Sequence, residues 1–152
     1  PRRISEIGLG AALRDLADTA GIPVDVRFDP HVLPPGLLEP DREIDTFRVV
    51  QEGLGNVARH SRATRAWLDA DIVDDIIVIE IGDDGMGFDR VATPPGLGLA
   101  GMQERAAILH GDLEVRSSPG AGTTVDLRIP ILPYQQGGGR WATPVRTAGS
   151  PP

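Results

Sequence analysis

The order of the periodic segments is the feature that most restricts how this chain can fold. Hydrophobic spacing predicts three helices, at residues 4–20, 42–60 and 99–109. Alternating or continuous apolar runs predict five strands, at residues 22–29, 65–72, 75–83, 112–118 and 123–130. The later strands come in consecutive pairs, which differs from the βαβ alternation of a doubly wound fold. We therefore expect an α/β (α+β) sandwich, in which about three helices cover one face of a mixed, mostly antiparallel sheet.

Chain length and loss of periodicity indicate a single domain. The 152 residues suffice for one well-packed core but not for two. From residue 133 onward, small and polar residues follow one another with no helical or strand period. We predict one domain over residues 1–132 and a disordered C-terminal tail over residues 133–152. Gly21 is expected to end the first helix, and Asp41 is expected to cap the start of the second.

Composition excludes several classes of function. All 15 basic residues are Arg, so the lysine of a Walker A loop, of a eukaryotic-type protein kinase and of a Schiff-base enzyme is missing. A net charge of -7 argues against nucleic acid as the main partner. The chain has no cysteine, no signal-peptide pattern and no apolar run of about 20 residues that could cross a bilayer. It is therefore expected to be cytoplasmic, or a cytoplasmic piece of a larger protein, without direct membrane contact.

A glycine motif, G-x-G-x-x-G at Gly96, Gly98 and Gly101, suggests a backbone shaped to approach phosphates. It is not the dinucleotide-binding turn, because that turn needs a strand running into the first glycine. Here Pro94 and Pro95 stand in that place and preclude a central strand. A surface loop without a ligand is the alternative that the motif alone leaves open.

A second glycine motif follows the most apolar strand. Asp83, Asp84, Gly85 and Gly87 form D-D-G-x-G where that strand ends. A carboxylate at this point can accept a hydrogen bond from an exocyclic amine, and glycines let the chain pass close to a ligand. A plain polar turn is the alternative. A calcium loop fits less well, because the alternating oxygen ligands and distal Glu of an EF-hand are missing.

The helix at residues 42–60 carries a third set of candidate residues. Glu52, Asn56 and His60 are spaced four apart and share one face. The amide oxygen of Asn56 suits Mg²⁺, and Glu52 could orient or deprotonate a nucleophile or hold a metal-bound water. Gly53 and Gly55 each cost about 1 kcal/mol relative to Ala in a helix, which makes sense if something packs tightly against the backbone. An ordinary amphipathic helix with a solvated polar stripe is the alternative.

Together these motifs resemble the GHKL ATPase family, and specifically the ATP-binding catalytic domain of bacterial two-component sensor histidine kinases. The segment "FRVVQEGLGNVARHSRA" is similar to the N box, "IEIGDDGMGFD" to the G1 box, and "GLGLAGMQERAAILHG" with the final Gly-Thr hairpin to the G2 region. The resemblance covers residues 41–130, and the short segment before Gly96 looks most like the short-lid nitrate- and thermosensor-type subfamily. It implies the Bergerat fold, binding of ATP and Mg²⁺, and histidine kinase activity.

The resemblance also implies a role for each matching residue. Asn56 would ligate Mg²⁺ with Glu52 behind it, and both would serve catalysis. Asp83 would accept a hydrogen bond from the adenine 6-amino group. The remaining nucleotide contacts would come from a larger set: Arg59 and His60 near the phosphates, Gly85 and Gly87 beside the base, Gly96, Leu97, Gly98 and Leu99 in the lid, and Thr123 with Thr124 supporting Asp83.

Two departures from the family pattern stand out. The usual Asn after the G1 aspartate is Asp84 here, which adds a negative charge. The phosphoacceptor helix pair is also missing, since His31, His60 and His110 do not lie on a dimerisation helix. The chain should therefore act on a histidine only when a phosphoacceptor/dimerisation domain is supplied, and reach a response regulator only indirectly. An anti-sigma-factor-type serine kinase and a non-catalytic nucleotide- or partner-binding module are the alternatives; gyrase-, chaperone- and mismatch-repair-type ATPases have longer lids.

Overall fold

The computed structural model describes residues 2–91 and 98–132. Within them, the chain forms four α-helices, a short 3₁₀ helix and five strands. In chain order these are α1 (Arg2–Ile7), α2 (Leu9–Asp18), β1 (Val24–Val26), the 3₁₀ helix (Pro30–Val32), α3 (Pro40–His60), β2 (Ala66–Val73), β3 (Ile76–Asp83), α4 (Leu99–Ile108), β4 (Asp112–Ser117) and β5 (Thr123–Pro130).

The strands form one mixed sheet in the order β1-β2-β3-β5-β4. The short edge strand β1 pairs parallel with β2, whereas every other pair is antiparallel. The register places Asp83 at the end of β3, opposite Ala66 of β2 and Thr123 of β5. The centre of the sheet therefore brings the last residue of β3 beside the first residues of its two neighbours.

The core lies between one face of this sheet and the helices. Every second residue of the central strands points into it, and Ile77, Ile79 and Leu127 are fully buried. On the helix side, Leu13 and Val50 are buried to the same degree. Each such side chain stabilises the fold by about 1.5–3 kcal/mol relative to an exposed one. The expected α+β sandwich, with a mostly antiparallel sheet and helices on one face, is confirmed.

The opposite face of the sheet is polar. Trp67 Nε1 donates a hydrogen bond of 2.9 Å to Glu80 Oε1, and the guanidinium of Arg27 lies 4.9 Å from the Trp67 ring centroid. Arg116 and Asp126 form an ion pair of 2.7 Å on the same face. These contacts lie on the face of the sheet that helices α1 to α4 leave uncovered.

Several expected element boundaries were wrong, including the end of the first helix, whose C-cap is Thr19, two residues before Gly21. The first helix is interrupted at Gly8, which has φ +88° and lies against Pro35, where a side chain would clash. A hydrophobic period continues across such a one-residue break, so the spacing could not reveal it. The first strand is shorter than expected, because only Val24–Val26 pair with β2. The cap of α3 is Glu39 rather than Asp41, since Pro40 takes the first helical position that its fixed φ favours.

Candidate functional site

A cleft of about 390 Å³ opens between the C-terminal half of α3, the loop after β3 and the start of α4. Several of the predicted site residues line it, namely Asn56, Arg59, His60, Asp83, Gly87, Leu99 and Thr123. The volume lies in the range of small-molecule and cofactor pockets. Two motifs about thirty residues apart in the sequence therefore face one space.

Asp83 is the buried acid of this cleft. Asp83 is only 5% exposed, and its Oδ1 accepts a hydrogen bond of 2.8 Å from the Gly85 amide. Burial raises the pKa of the Asp83 carboxyl, as does the nearby charge of Asp84, whereas the amides of Gly85 and Thr123 lower it. A buried carboxylate of this kind, held by backbone donors, can accept a further hydrogen bond from a ligand amine.

The two glycines after Asp83 stand where side chains do not fit. A Cβ on Gly85 would meet the carbonyl oxygen of Ser61, and one on Gly87 would meet that of Ser118. Gly87 also has φ +60°, which disfavours other residues. At these two positions the chain is therefore kept as bare backbone, packed closely against Ser61 and Ser118.

Helix α3 supplies the polar wall opposite that loop. The Asn56 amide nitrogen lies 4.0 Å from Met102 Sδ, within hydrogen-bond distance for sulfur. One turn earlier, Glu52 Oε1 is 3.4 Å from Arg59 Nη2, and both side chains are about half exposed. His60 is exposed at the last turn. Arg59 and His60 thus add basic groups to the mouth of the cleft.

The expected lid is described only in part. Gly96 and Leu97 lie outside the described residues. Gly98 is in the left-handed region at φ +67°, and a Cβ there would meet the carboxylate of Glu52. Leu99 begins α4 and lines the cleft. The chain therefore enters α4 immediately beside Glu52.

Thr123 and Thr124 lie on different faces of the sheet. The Thr123 hydroxyl is 2.8 Å from Ser117 Oγ, which accepts a hydrogen bond of 2.9 Å from the Phe88 amide in the loop after β3. Thr124 instead pairs with Gly82 and Arg116 and lines a separate hollow on the polar face. Successive strand residues point to opposite faces, so the structure does not bring Thr124 to the cleft, and its expected role beside Asp83 is withdrawn.

Other cleft residues were not singled out from the sequence. Met86 and Phe88 line the floor beside Gly87, and Ser61 and Arg62 line the end of α3. Met86 is the variable position of the D-D-G-x-G motif and Phe88 directly follows it, so the motif was a usable signal for both. The other two follow the helix, and only the tertiary fold shows that they reach the loop after β3.

The residues present fit a magnesium ion held together with phosphates. In residues 2–91 and 98–132, no cluster of three or more Asp, Glu or His side chains is arranged to hold a metal alone. Mg²⁺ in nucleotide sites, however, needs only one or two protein oxygens besides water and phosphate. The carbonyl oxygen of the Asn56 amide is a hard ligand of the kind Mg²⁺ prefers, and the Glu52 carboxylate lies one turn away on the same helix.

A cleft of about 390 Å³ with a buried acid, Asp83, on one side and the amide of Asn56 on the other suits a nucleotide-sized ligand. The profile of the family described as "Histidine kinase-, DNA gyrase B-, and HSP90-like ATPase" matches residues 41–133. The chain belongs to this family, and its ATPase domain implies binding of ATP.

Its relatives are sensor kinases. The chain is 37% identical over 106 residues to the signal transduction histidine-protein kinase/phosphatase DegS of Brevibacillus brevis, covering 69% of this chain and 25% of the relative. It is 34% identical over 134 residues to the sensor histidine kinase LiaS of Bacillus subtilis strain 168, covering 86% and 36% respectively. The chain thus spans about a quarter to a third of these curated relatives.

Solved structures support the fold. The blue-light activated histidine kinase of Erythrobacter litoralis EL346 superposes with a TM-score of 0.68 at 22% identity, covering 85% of this chain and 43% of that one. The histidine kinase domain of the same protein superposes with a TM-score of 0.65 at 23% identity, with coverages of 82% and 62%.

Among the described residues, none of the helices is both long enough and apolar enough for a bilayer crossing.

Proposed function

We propose that this chain is the ATP·Mg-binding catalytic domain of a two-component sensor histidine kinase. The observation that carries the proposal is the placement of buried Asp83 in the same cleft as Asn56, the residue expected to reach the metal. The names of the relatives support the sensor-kinase reading over the anti-sigma-factor alternative.

Each wall of the cleft has a distinct task in this proposal. Asp83 accepts a hydrogen bond from the adenine 6-amino group, while Gly85 and Gly87 let the backbone lie against the base. Asn56 and Glu52 hold Mg²⁺ and its waters under the phosphates. When bound, Mg²⁺ neutralises charge on the phosphates. Phosphoryl transfer depends mainly on such positioning and charge neutralisation.

The basic groups and the lid complete the phosphate side. Arg59 and His60 at the mouth of the cleft contact phosphate oxygens, and Gly98 and Leu99 place the first amides of α4 toward the anionic end of the nucleotide. Gly96 and Leu97 belong to the same proposed lid.

The γ-phosphoryl group goes to a histidine on a separate phosphoacceptor/dimerisation segment, so the domain alone phosphorylates no histidine. A cognate response regulator receives the phosphoryl group afterwards and contacts this domain only indirectly. Because ATP and response regulators are cytoplasmic, the proposed function requires the domain to face the cytoplasm. Residues 1–132 form the domain in this proposal, with residues 133–152 as a tail.

Replacing Asp83 tests the adenine contact. Asp83→Asn exchanges an acceptor for a group that also donates, so ATP affinity should fall by about tenfold or more, as expected for a lost hydrogen bond to a charged group. Isothermal titration with ATP and with GTP measures the effect. Asp126→Asn is the matched control, because Asp126 is equally buried but lies on the polar face. Equal affinity of the unmodified chain for ATP and GTP would contradict the adenine contact.

Replacing Asn56 tests the metal contact. Asn56→Ala removes the amide oxygen, so the gain in ATP affinity on adding Mg²⁺ should largely disappear while the melting temperature stays close to that of the unmodified chain. Titrations of ATP with Mg²⁺ and with EDTA measure this gain. If the two titrations of Asn56→Ala still differ as they do for the unmodified chain, the assignment of Asn56 to the metal is wrong.

A further inference from the structure

The turn that joins α3 to β2 is fastened to the loop after β3 by one carboxylate. Asp84 Oδ1 accepts hydrogen bonds of 2.9 Å from the amides of both Thr64 and Arg65. Its other oxygen, Oδ2, accepts one of 2.8 Å from the Thr64 hydroxyl. Three donors about twenty residues away in sequence thus converge on a single side chain.

Backbone contacts reinforce the same junction. The Met86 amide donates to the Ser61 carbonyl at 2.7 Å, and the Asp84 amide donates to the Arg65 carbonyl at 3.1 Å. Arg62, in the same turn, has φ +52°, an unfavourable value for a residue with a side chain. A turn with such strain persists only where its surroundings hold it, and the hydrogen bonds that Asp84 accepts from Thr64 and Arg65 are among the contacts that hold this turn, together with the bond from Met86 to Ser61.

This junction sets the separation between the two walls of the cleft. Arg59 and His60 lie in the last turn of α3, immediately before the fastened turn, and Asn56 lies one turn earlier. Asp83 precedes Asp84 directly and Gly85 follows it. A loosened junction would let the end of α3 and the loop after β3 move relative to each other. Asn56 would then move with the helix, and Asp83 would move with the loop.

We propose that Asp84 is a positioning residue for nucleotide binding: its carboxylate fixes the turn at residues 61–65 against the loop after β3 and so sets the distance between Asn56 and Asp83. The inference rests on the proposed function of the cleft. Asp84 is exposed and does not line the cleft, so it acts through its neighbours rather than through the nucleotide.

The geometry also predicts that Asn can replace Asp84 without loss of these contacts. An Asn amide oxygen can accept both backbone N–H groups that Oδ1 accepts, and its NH₂ group can donate to the Thr64 hydroxyl, which both donates and accepts. The fastening therefore survives in Asn, whereas Ala removes it.

The charge of Asp84 has a separate effect. It raises the pKa of Asp83, adding to the larger effect of burial. The other ionisable side chains that line the described part of the cleft are Arg59, His60 and Arg62, with Glu52 one turn away on α3, and none of them changes in Asp84→Asn. Asp84→Asn should thus keep Asp83 ionised to a lower pH, and ATP binding should persist to a lower pH with it.

The experiment compares Asp84→Ala, Asp84→Asn and a control, Glu114→Gln, which removes one charge from an exposed position on strand β4. ATP·Mg²⁺ affinity is measured from about pH 4.5 to pH 7.5, a range that covers a raised carboxyl pKa. Hydrogen exchange of the Thr64 and Arg65 amides is measured without nucleotide, and a thermal melt checks folding.

At neutral pH, Asp84→Ala should bind ATP about tenfold more weakly, in line with several lost hydrogen bonds. Its Thr64 and Arg65 amides should exchange faster by at least about tenfold. Asp84→Asn should keep both properties near those of the unmodified chain and shift the acid limit of binding to lower pH. Glu114→Gln should change neither.

Undiminished affinity in Asp84→Ala would overturn the positioning role, and so would an Asp84→Asn variant as weak as Asp84→Ala. Unchanged amide exchange in Asp84→Ala would overturn the fastening itself. If the unmodified chain binds no ATP, the proposed function fails and the positioning role fails with it, while the exchange data still decide whether Asp84 holds the turn.

Discussion

At the scale of single residues, the two glycines inside α3 have different reasons to be there. A Cβ on Gly53 would lie 2.5 Å from Ile81 Cδ1, a fully packed core atom, so the bare backbone lets the sheet approach the helix. A Cβ on Gly55 would lie 2.8 Å from Arg59 Nη1, the far end of a half-exposed side chain that reaches back to Glu52. Both were expected to mark tight packing, and only Gly53 packs against the core.

The two sites therefore predict opposite effects of the same substitution. Gly55→Ala should raise the free energy of unfolding by about 0.5–1 kcal/mol, because helix propensity improves and the exposed Glu52–Arg59 pair contributes little. Gly53→Ala should lower it by about 1–2 kcal/mol, since overpacking the core outweighs the gain in propensity. Urea unfolding of the two variants measures both changes. If the free energy of unfolding changed in the same direction in both variants, the packing described around one of the two glycines would be wrong.

At the scale of elements, sequence periodicity predicted the central structure closely. The expected strand at residues 123–130 coincides with β5. The one at 65–72 is displaced from β2 by one residue, and the one at 75–83 begins one residue before β3 and ends with it. These strands alternate because one face is buried and the other solvated. The break at Gly8 was not predictable, since it depends on contact with Pro35 rather than on local pattern.

The candidate site likewise has residues that local sequence patterns predict and residues whose role depends on tertiary contacts. The positions of Asp83 at a strand end and of Asn56 on the polar face of a helix follow from local periods, and the structure brings both to one cleft. The role of Asp84 does not follow, because its partners Thr64 and Arg65 become its neighbours only when β2 and β3 pair. Thr124 does not reach the cleft for a simpler reason. Successive strand residues point to opposite faces of the sheet, so Thr123 and Thr124 cannot both face the cleft.

At the scale of the whole molecule, buried acids make stability depend on pH. Burial raises the pKa of Glu43, Asp83 and Asp126 above their ordinary values. The folded state therefore binds protons more readily than the unfolded chain, and the free energy of unfolding must fall as the pH rises through these raised pKa values. The net charge of -7 acts in the same direction, because self-repulsion grows as carboxyls ionise.

Glu43 offers the sharpest test of this dependence. It is 1% exposed in the first turn of α3, and its Oε1 has no hydrogen-bond partner among the described residues. Glu43→Gln cannot ionise, so its stability should fall less than that of the unmodified chain between about pH 4.5 and pH 7.5, with a pKa difference of one worth about 1.4 kcal/mol. Urea unfolding across this range measures the slope, with exposed Glu114→Gln as the control. Parallel slopes for Glu43→Gln and the unmodified chain would mean that Glu43 ionises equally in the folded and unfolded states.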